Sequence, residues 1–187
     1  MSKQLGCFVV ADSSKCTGCK ACEVACFAEH NRENNGVGKT VGTVTVPVTP
    51  KLYLTKGEGI CMPIQCKHCE SPACMAACPE ACIRIEDHKV LIDTTNCIGC
   101  KNCMNACPFG AIDMVSVYGE TQGDGSERIV ANKCDLCAGV EGGPACVRVC
   151  PTEALVLVKE ESMDNVIEQR RLAAARSSVL TKTEEEV

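Results

Sequence analysis

The sequence predicts an α+β fold in which short strands, tight hairpins and brief helices gather around groups of cysteine, closed by one longer helix. Three observations predict it. Sixteen of the nineteen cysteines fall into four groups of four. The stretches between the groups are short, rich in β-branched residues and bounded by Gly, Pro, Asn and Asp, which is the pattern of strands and turns. The third observation is a shortage of bulk: 187 residues carry no Trp, two Tyr and three Phe. Something other than aromatic side chains must fill the interior. The length itself allows one or two domains.

Taken in order, Gly6 to Ala11 (GCFVVA) reads as a strand leading into Cys16-Thr-Gly-Cys19-Lys-Ala-Cys22-Glu-Val-Ala-Cys26. Phe27, not proline, follows that group, so a helix can run on through Ala28-Glu29-His30. Residues 31–60 carry Asn, Gly and Pro around two β-rich pieces, Thr43 to Val48 and Lys51 to Thr55, predicting a hairpin laid over the core. The second group is Cys66-Lys-His-Cys69-Glu-Ser-Pro-Ala-Cys74-Met-Ala-Ala-Cys78-Pro79. Ile83 to Glu86 and Lys89 to Asp93 bracket Asp87-His88, a hairpin signal. The third group is Cys97-Ile-Gly-Cys100-Lys-Asn-Cys103-Met-Asn-Ala-Cys107-Pro108, followed by a strand at Ala111 to Tyr118 and a Gly-rich turn at 119–126. The fourth joins Cys134-Asp-Leu-Cys137 to Cys146-Val-Arg-Val-Cys150-Pro151, and Ala154 to Lys159 reads as a closing strand. The tail, Ser162 to Val187, has no cysteine. Ser162 as N-cap and Asp164 in the first turn predict a helix, whose weak apolar face should pack on a partner or fray.

The third group has the spacing C-x2-C-x2-C-x3-C-P, which is that of 4Fe-4S ligation in bacterial two-cluster ferredoxins. Three thiolates must reach three corners of one cubane face, so the backbone wraps tightly with its amides aimed at sulfur. Gly99 permits the wrap. Cys107, a helical turn further on, points in this motif to a neighbouring cluster, which is why such motifs come in pairs. An internal repeat agrees. Gly18-Cys19-Lys20-x-Cys22-x3-Cys26 recurs as Gly99-Cys100-Lys101-x-Cys103-x3-Cys107, and Pro72-Ala73-Cys74-x3-Cys78-Pro79 recurs as Pro144-Ala145-Cys146-x3-Cys150-Pro151. Each group is thus half of a ferredoxin-like unit.

Blander readings compete. Zinc takes four ligands in two separated pairs and fits a third cysteine two residues after the second poorly, although Cys66-x2-Cys69 and Cys134-x2-Cys137 alone resemble the start of zinc ribbons. A secreted disulfide scaffold conflicts with the odd cysteine count and with Met1 to Lys15, which lacks a basic stretch followed by an apolar one; a reducing cytoplasmic location is expected. Cys7 and Cys82 read as small buried hydrophobes, and Cys61 has no evident role. His30, His68 and His88 could in principle ligate metal; His68, between two cysteines in a tight turn, better suits the surface or a place behind the ligands. Lys15, Lys20, Lys67, Lys101 and Lys133 stand beside or near ligand cysteines, where positive charge would favour a reduced cluster. The net charge of −5 argues against nucleic acid. No run approaches the ~20 apolar residues that span a bilayer.

With four groups in this order, residues 5 to about 160 resemble the iron–sulfur subunits with four 4Fe-4S clusters found beside molybdopterin enzymes and hydrogenases. The phrases Ala-Asp-x-Ser-Lys-Cys-x-Gly-Cys at 11–19 and Ala-Asn-Lys-Cys-Asp-Leu-Cys at 131–137, with an Arg-rich C-terminal segment, are similar to the small soluble members. Those serve formate dehydrogenase and hydrogenase in formate hydrogenlyase and hydrogen-dependent carbon dioxide reductase, or carry electrons for carbon monoxide dehydrogenase. The resemblance implies cross-ligation: Cys16, Cys19, Cys22 and Cys150 hold one cluster; Cys26, Cys134, Cys137 and Cys146 a second; Cys66, Cys69, Cys74 and Cys107 a third; Cys78, Cys97, Cys100 and Cys103 a fourth. It implies tandem ferredoxin-like domains, residues 1–60 with 128–160 forming an outer one, 61–127 inserted into it, and 161–187 a helical tail.

The function so implied is anaerobic electron transfer without catalysis of its own, since no nucleophile with a base and no phosphate-cradling loop is evident. The implied partners are the catalytic subunit of a formate dehydrogenase, a hydrogenase subunit and a second ferredoxin-like subunit; another molybdopterin oxidoreductase or a carbon monoxide dehydrogenase is the alternative. A scaffold role competes, with the tail helix driving a homo-oligomer or filament.

Overall fold

A computed structural model describes residues 7–31 and 49–180. The predicted strand at 43–48 and the last seven tail residues lie outside them. Among the described residues there are four separate two-stranded antiparallel sheets and five helices. Strand β1 (Phe8–Ala11) pairs with β8 (Leu155–Val158), so the two ends of the cysteine-bearing chain close on each other. Both are short β-branched runs, and Val9 and Leu155 turn one side of the pair into the core. Helix α1 (Ala21–His30) carries Cys22 and Cys26 of the first cysteine group and ends at His30, where its sequence predicts.

The next hairpin departs from the sequence pattern. The hairpin is β2 (Tyr53–Gly57) with β3 (Ile60–Ile64), turning on Glu58 and Gly59, both with positive φ. Lys51 and Leu52 precede it as a bend, with Leu52 buried. The run Ile60-Cys-Met-Pro-Ile64 hides as a strand because it does not alternate and contains Pro63, which suits an edge strand only.

Helix α2 (Ala73–Ala76) leads to β4 (Ile83–Glu86) and β5 (Lys89–Ile92), a hairpin whose Asp87 and His88 have φ of 47° and 61°. Two consecutive left-handed residues make the primed turn that matches strand twist. After α3 (Asn102–Ala106), β6 runs from Ile112 to Thr121, straight through Gly119, and the turn narrows to Gln122–Ser126. It pairs with β7 (Glu127–Lys133), a second strand the sequence pattern does not announce, with a register shift between Ser116 and Thr121. Helix α4 (Ala145–Val149) lies in the fourth cysteine group.

Helix α5 spans Glu160–Leu180, about 31 Å at ~1.5 Å per residue. Ser162 is not its N-cap. It stands inside the first turn, where its hydroxyl accepts the Lys159 N–H at 2.9 Å and donates to the Lys159 carbonyl at 2.6 Å. Ile167 and Leu172 of this helix are exposed. Among the described residues no helix is long and apolar enough to cross a membrane.

The buried residues form two clusters. One is built on Val9, Leu52, Leu136 and Leu155 with five cysteines, the other on Ile83, Val90, Ile112 and Ala131 with three. Half of the core is therefore cysteine, and the aliphatic remainder is a thin shell around it.

Candidate metal centres

The backbone repeats itself at the two strongest motifs. Gly18 and Lys20 before α1 have φ of 73° and 63°; Gly99 and Lys101 before α3 have φ of 70° and 67°. Each pair of left-handed turns curls the chain around its first three cysteines. Pro72 and Pro144 stand at the N-caps of α2 and α4 with extended backbone, and turn the third cysteine of those groups inward.

The fold brings cysteines together across groups. Cys16, Cys19 and Cys22 line one cavity with Cys150, more than a hundred residues away. Cys97, Cys100 and Cys103 line another with Cys78 and, unexpectedly, Cys82. Cys146 and Cys134 lie close enough to Cys26 for its charge to act on both thiols, and Cys137 acts on Cys146. In the same way Cys66 senses Cys69 and Cys107, and Cys74 senses Cys66 and Cys107. All nineteen cysteines are free of disulfides.

The donor set fits iron–sulfur clusters. Backbone N–H groups donate to sulfur at the distances cluster ligands accept: Lys51 to Cys26 (3.3 Å), His68 to Cys66 (3.4 Å), Ala131 to Cys97 (3.5 Å), Leu136 to Cys134 (3.4 Å), Ala145 to Cys137 (3.5 Å) and Ala154 to Cys150 (3.3 Å). Burial pushes the Cys22 and Cys74 thiols up to about 11, Cys146 up to about 12, and Cys134 further up. Such thiols ionise only when a cation compensates the cost, so metal loading must expel protons. Cys78 and Cys150, each followed by proline, differ: burial opposes ionisation, but hydrogen bonds outweigh it and lower both.

The charged groups near these cysteines are not interchangeable. Lys20 is an exposed partner of Glu23, and the Lys67 ammonium donates to the Val9 carbonyl at 3.4 Å. Lys133 is only 3% exposed. Its ammonium donates to the Val90 and Cys134 carbonyls and, among the described residues, has no carboxylate partner. Its charge acts on the Cys66 and Cys74 thiols. His68 is buried too, which removes the surface reading of it. Its Nδ1 accepts the Val90 N–H at 3.0 Å; burial and the charge of Lys133 lower its pKa to about 3, so the ring is neutral. His88 is exposed in its turn.

His30 is the pairing that local sequence could not reveal. Nδ1 lies 2.7 Å from the Cys26 carbonyl and Nε2 2.9 Å from an Asp135 oxygen; both partners only accept, so both nitrogens carry protons. Lys51 joins Asp135 at 3.2 Å. His30, Asp135 and Cys137 also offer ligand atoms within 4.8 Å of one another. The two protons on His30 disqualify it as a metal ligand there.

This pair sets a pH window. Burial works against the charged His30 ring, but the Asp135 and Cys26 hydrogen bonds and the Asp135 charge outweigh it and raise its pKa from 6.5 to about 10. Its stabilisation is full below 6.5 and disappears as pH rises through about 10. For Asp135, burial is outweighed by His30 and Lys51, which hold it below 3.8; its stabilisation is present above 3.8 and lost on further acidification. Unfolding of anaerobic holoprotein in urea is therefore expected to quicken several-fold between pH 7 and 10.5, with a much smaller change in Asp135→Asn. An equal alkaline change in the variant would contradict the assignment.

Thiol groups of this kind on paired short sheets and helices define an iron–sulfur protein of ferredoxin type. Residues 58–160, just over half the chain, match the 4Fe-4S dicluster domain family, and the chain belongs to it. Among curated relatives, the electron transport protein HydN of Escherichia coli strain K12 is 36% identical over 174 residues, covering 90% of this chain and 97% of HydN. Hydrogenase-4 component A of the same strain is 36% identical over 196 residues, covering 90% of each chain. The putative oxidoreductase AegA, also from that strain, is 37% identical over 169 residues; they are 90% of this chain but 24% of AegA, so the chain spans about a quarter of that relative. Membership in this family makes the chain an iron–sulfur electron-transfer protein.

Proposed function

We propose that the chain holds four 4Fe-4S clusters and relays single electrons between a formate dehydrogenase and a hydrogenase, as a cytoplasmic subunit without catalysis of its own. The observation that carries this reading is the approach of cysteines from distant groups, Cys150 to the first motif and Cys78 to the third. The proposed ligand sets are Cys16, Cys19, Cys22 and Cys150; Cys26, Cys134, Cys137 and Cys146; Cys66, Cys69, Cys74 and Cys107; and Cys78, Cys97, Cys100 and Cys103. The β1–β8 pair, which joins the two ends of the proposed outer domain, supports residues 61–127 as a second domain inserted into it. The names of HydN and hydrogenase-4 component A support the choice of partners.

When bound, 4Fe-4S clusters supply one-electron storage at each site. The chain's own residues do the rest. Buried aliphatic side chains exclude water, backbone amides donate to ligand sulfurs, and the paired motifs keep neighbouring sites close. Lys133 supplies positive charge between the third set and Cys134 of the second. Lys133→Met is expected to lower the midpoint potentials of those two sites by on the order of 50 mV, because a lost unit charge in a medium of effective dielectric ~20 is worth ~1–2 kcal/mol at about 10 Å and ~59 mV is tenfold for one electron. Redox titration followed by electron paramagnetic resonance (EPR) reads this; unchanged potentials would remove Lys133 from the account.

Partnership is tested by reconstitution without oxygen. Formate with its dehydrogenase should bleach the visible absorbance of the holoprotein, and adding hydrogenase should restore it with release of hydrogen. No bleaching with formate would exclude the proposed donor. The exposed Ile167 and Leu172 on α5 favour a second role for the tail in assembly with a neighbouring subunit or copy. Truncation at Glu161 is expected to reduce the particle mass seen by light scattering by more than the tail alone; loss of only the tail's own mass would end that reading.

A further inference from the structure

Cys82 reads in the sequence as a small buried hydrophobe, and it is buried, with 8% of its surface exposed. Its surroundings are not those of a simple core residue. Cys82 Sγ lies 3.3 Å from Cys78 Sγ, its one hydrogen-bond partner among the described residues, and it lines the same cavity as Cys78, Cys97, Cys100 and Cys103. A cubane takes four thiolates. Five thiols face this one space. Cys61 makes a looser approach at the first motif, 4.0 Å from Cys16, but does not line that cavity.

We propose that Cys82 is a reserve ligand of this site, able to replace Cys78. The inference rests on the ligand sets proposed above. Local geometry allows the exchange without moving the main chain. Ala81 in the left-handed region, with its N–H on the Cys78 carbonyl at 3.3 Å, folds the loop so that residues 78 and 82 meet. The Cys82 carbonyl accepts the Asp93 N–H at 2.8 Å, which anchors its backbone to the β5 end of the hairpin. A χ1 change between staggered positions carries a cysteine sulfur by about 3 Å, comparable to the gap between the two thiols. In the exchange the Cys82 thiol gives its proton to solvent and forms an S–Fe bond, while the Cys78 S–Fe bond breaks and that sulfur takes up a proton. No electron moves, so no oxidant or reductant is required.

The test compares Cys78→Ala, Cys78→Ala with Cys82→Ala, and Cys100→Ala, each purified without oxygen as the full chain, by iron and acid-labile sulfide per chain. Cys78→Ala should keep the wild-type content, with an altered EPR spectrum. The double variant and Cys100→Ala should each lose about four irons. If Cys78→Ala and Cys100→Ala both lose them, Cys82 is no reserve and the ligand set stands. If Cys100→Ala loses none, the ligand set itself is wrong. Retention in the double variant also overturns the proposal. Cys78→Ser guards against misfolding of the alanine variant: ligation by Cys82 gives it the spectrum of Cys78→Ala, whereas ligation by the serine oxygen gives a different one and counts against Cys82.

Discussion

Removal of iron is expected to abolish the cooperative unfolding transition altogether. The reason is the make-up of the interior. Eight of its sixteen buried cluster members are cysteines, and only seven, such as Leu52 and Val90, are large aliphatic residues. The four two-stranded sheets share no strand and meet through this half-cysteine interior, and an isolated hairpin is marginal in water. Without metal the thiols revert to their protonated form, several of them held there by burial, and no metal–sulfur bonds tie Cys150 to the first motif or Cys78 to the third. Anaerobic chelation followed by thermal circular dichroism should show a shallow, non-cooperative slope where holoprotein gives a sharp step. A sharp step in fully demetallated protein would mean that the aliphatic shell suffices.

Gly99→Ala is the single substitution expected to do most damage outside the ligands, and more than Gly18→Ala. Both glycines have φ near 70°, where an alanine costs roughly 1–2 kcal/mol. They differ in what an added Cβ meets. At Gly99 it would stand 2.6 Å from the Ile129 carbonyl oxygen of β7, a backbone atom fixed by its ladder. At Gly18 it would meet the Lys56 Cε and Nζ at 2.6 Å, the far end of a side chain that can swing away, and Cys61 Sγ at 2.9 Å. Gly99→Ala must therefore push β7 from the third motif, and Ala131 N–H with it from Cys97. We expect loss of about four irons, against nearly full content in Gly18→Ala. Equal content in the two variants would contradict this.

Much of this was legible in the sequence because cluster chemistry is local. A cysteine repeat with glycine inside it announces the left-handed turns at Gly18 and Gly99, and Asp87-His88 announces its hairpin. What stayed hidden depends on contacts between distant residues. Strand β7 borders the fourth cysteine group and has only Ile129, Val130 and Ala131 as an apolar signature, so it reads as linker until β6 pairs with it. The hairpin of β2 and β3 is masked by Pro63. His68 is neutral and buried because Val90 donates to it from a strand twenty-two residues on, and His30 is charged because Asp135 lies 105 residues away. The meeting of Cys82 with Cys78 needs Ala81 in a conformation that no alanine propensity suggests.

The central claim is four clusters on sixteen of the cysteines, and it rests most directly on iron and acid-labile sulfide counted per chain in protein purified without oxygen, with EPR after stepwise reduction. The account predicts about sixteen of each and interacting signals from reduced clusters. Zinc in place of iron, about eight irons, or clusters that accept no electron would contradict it.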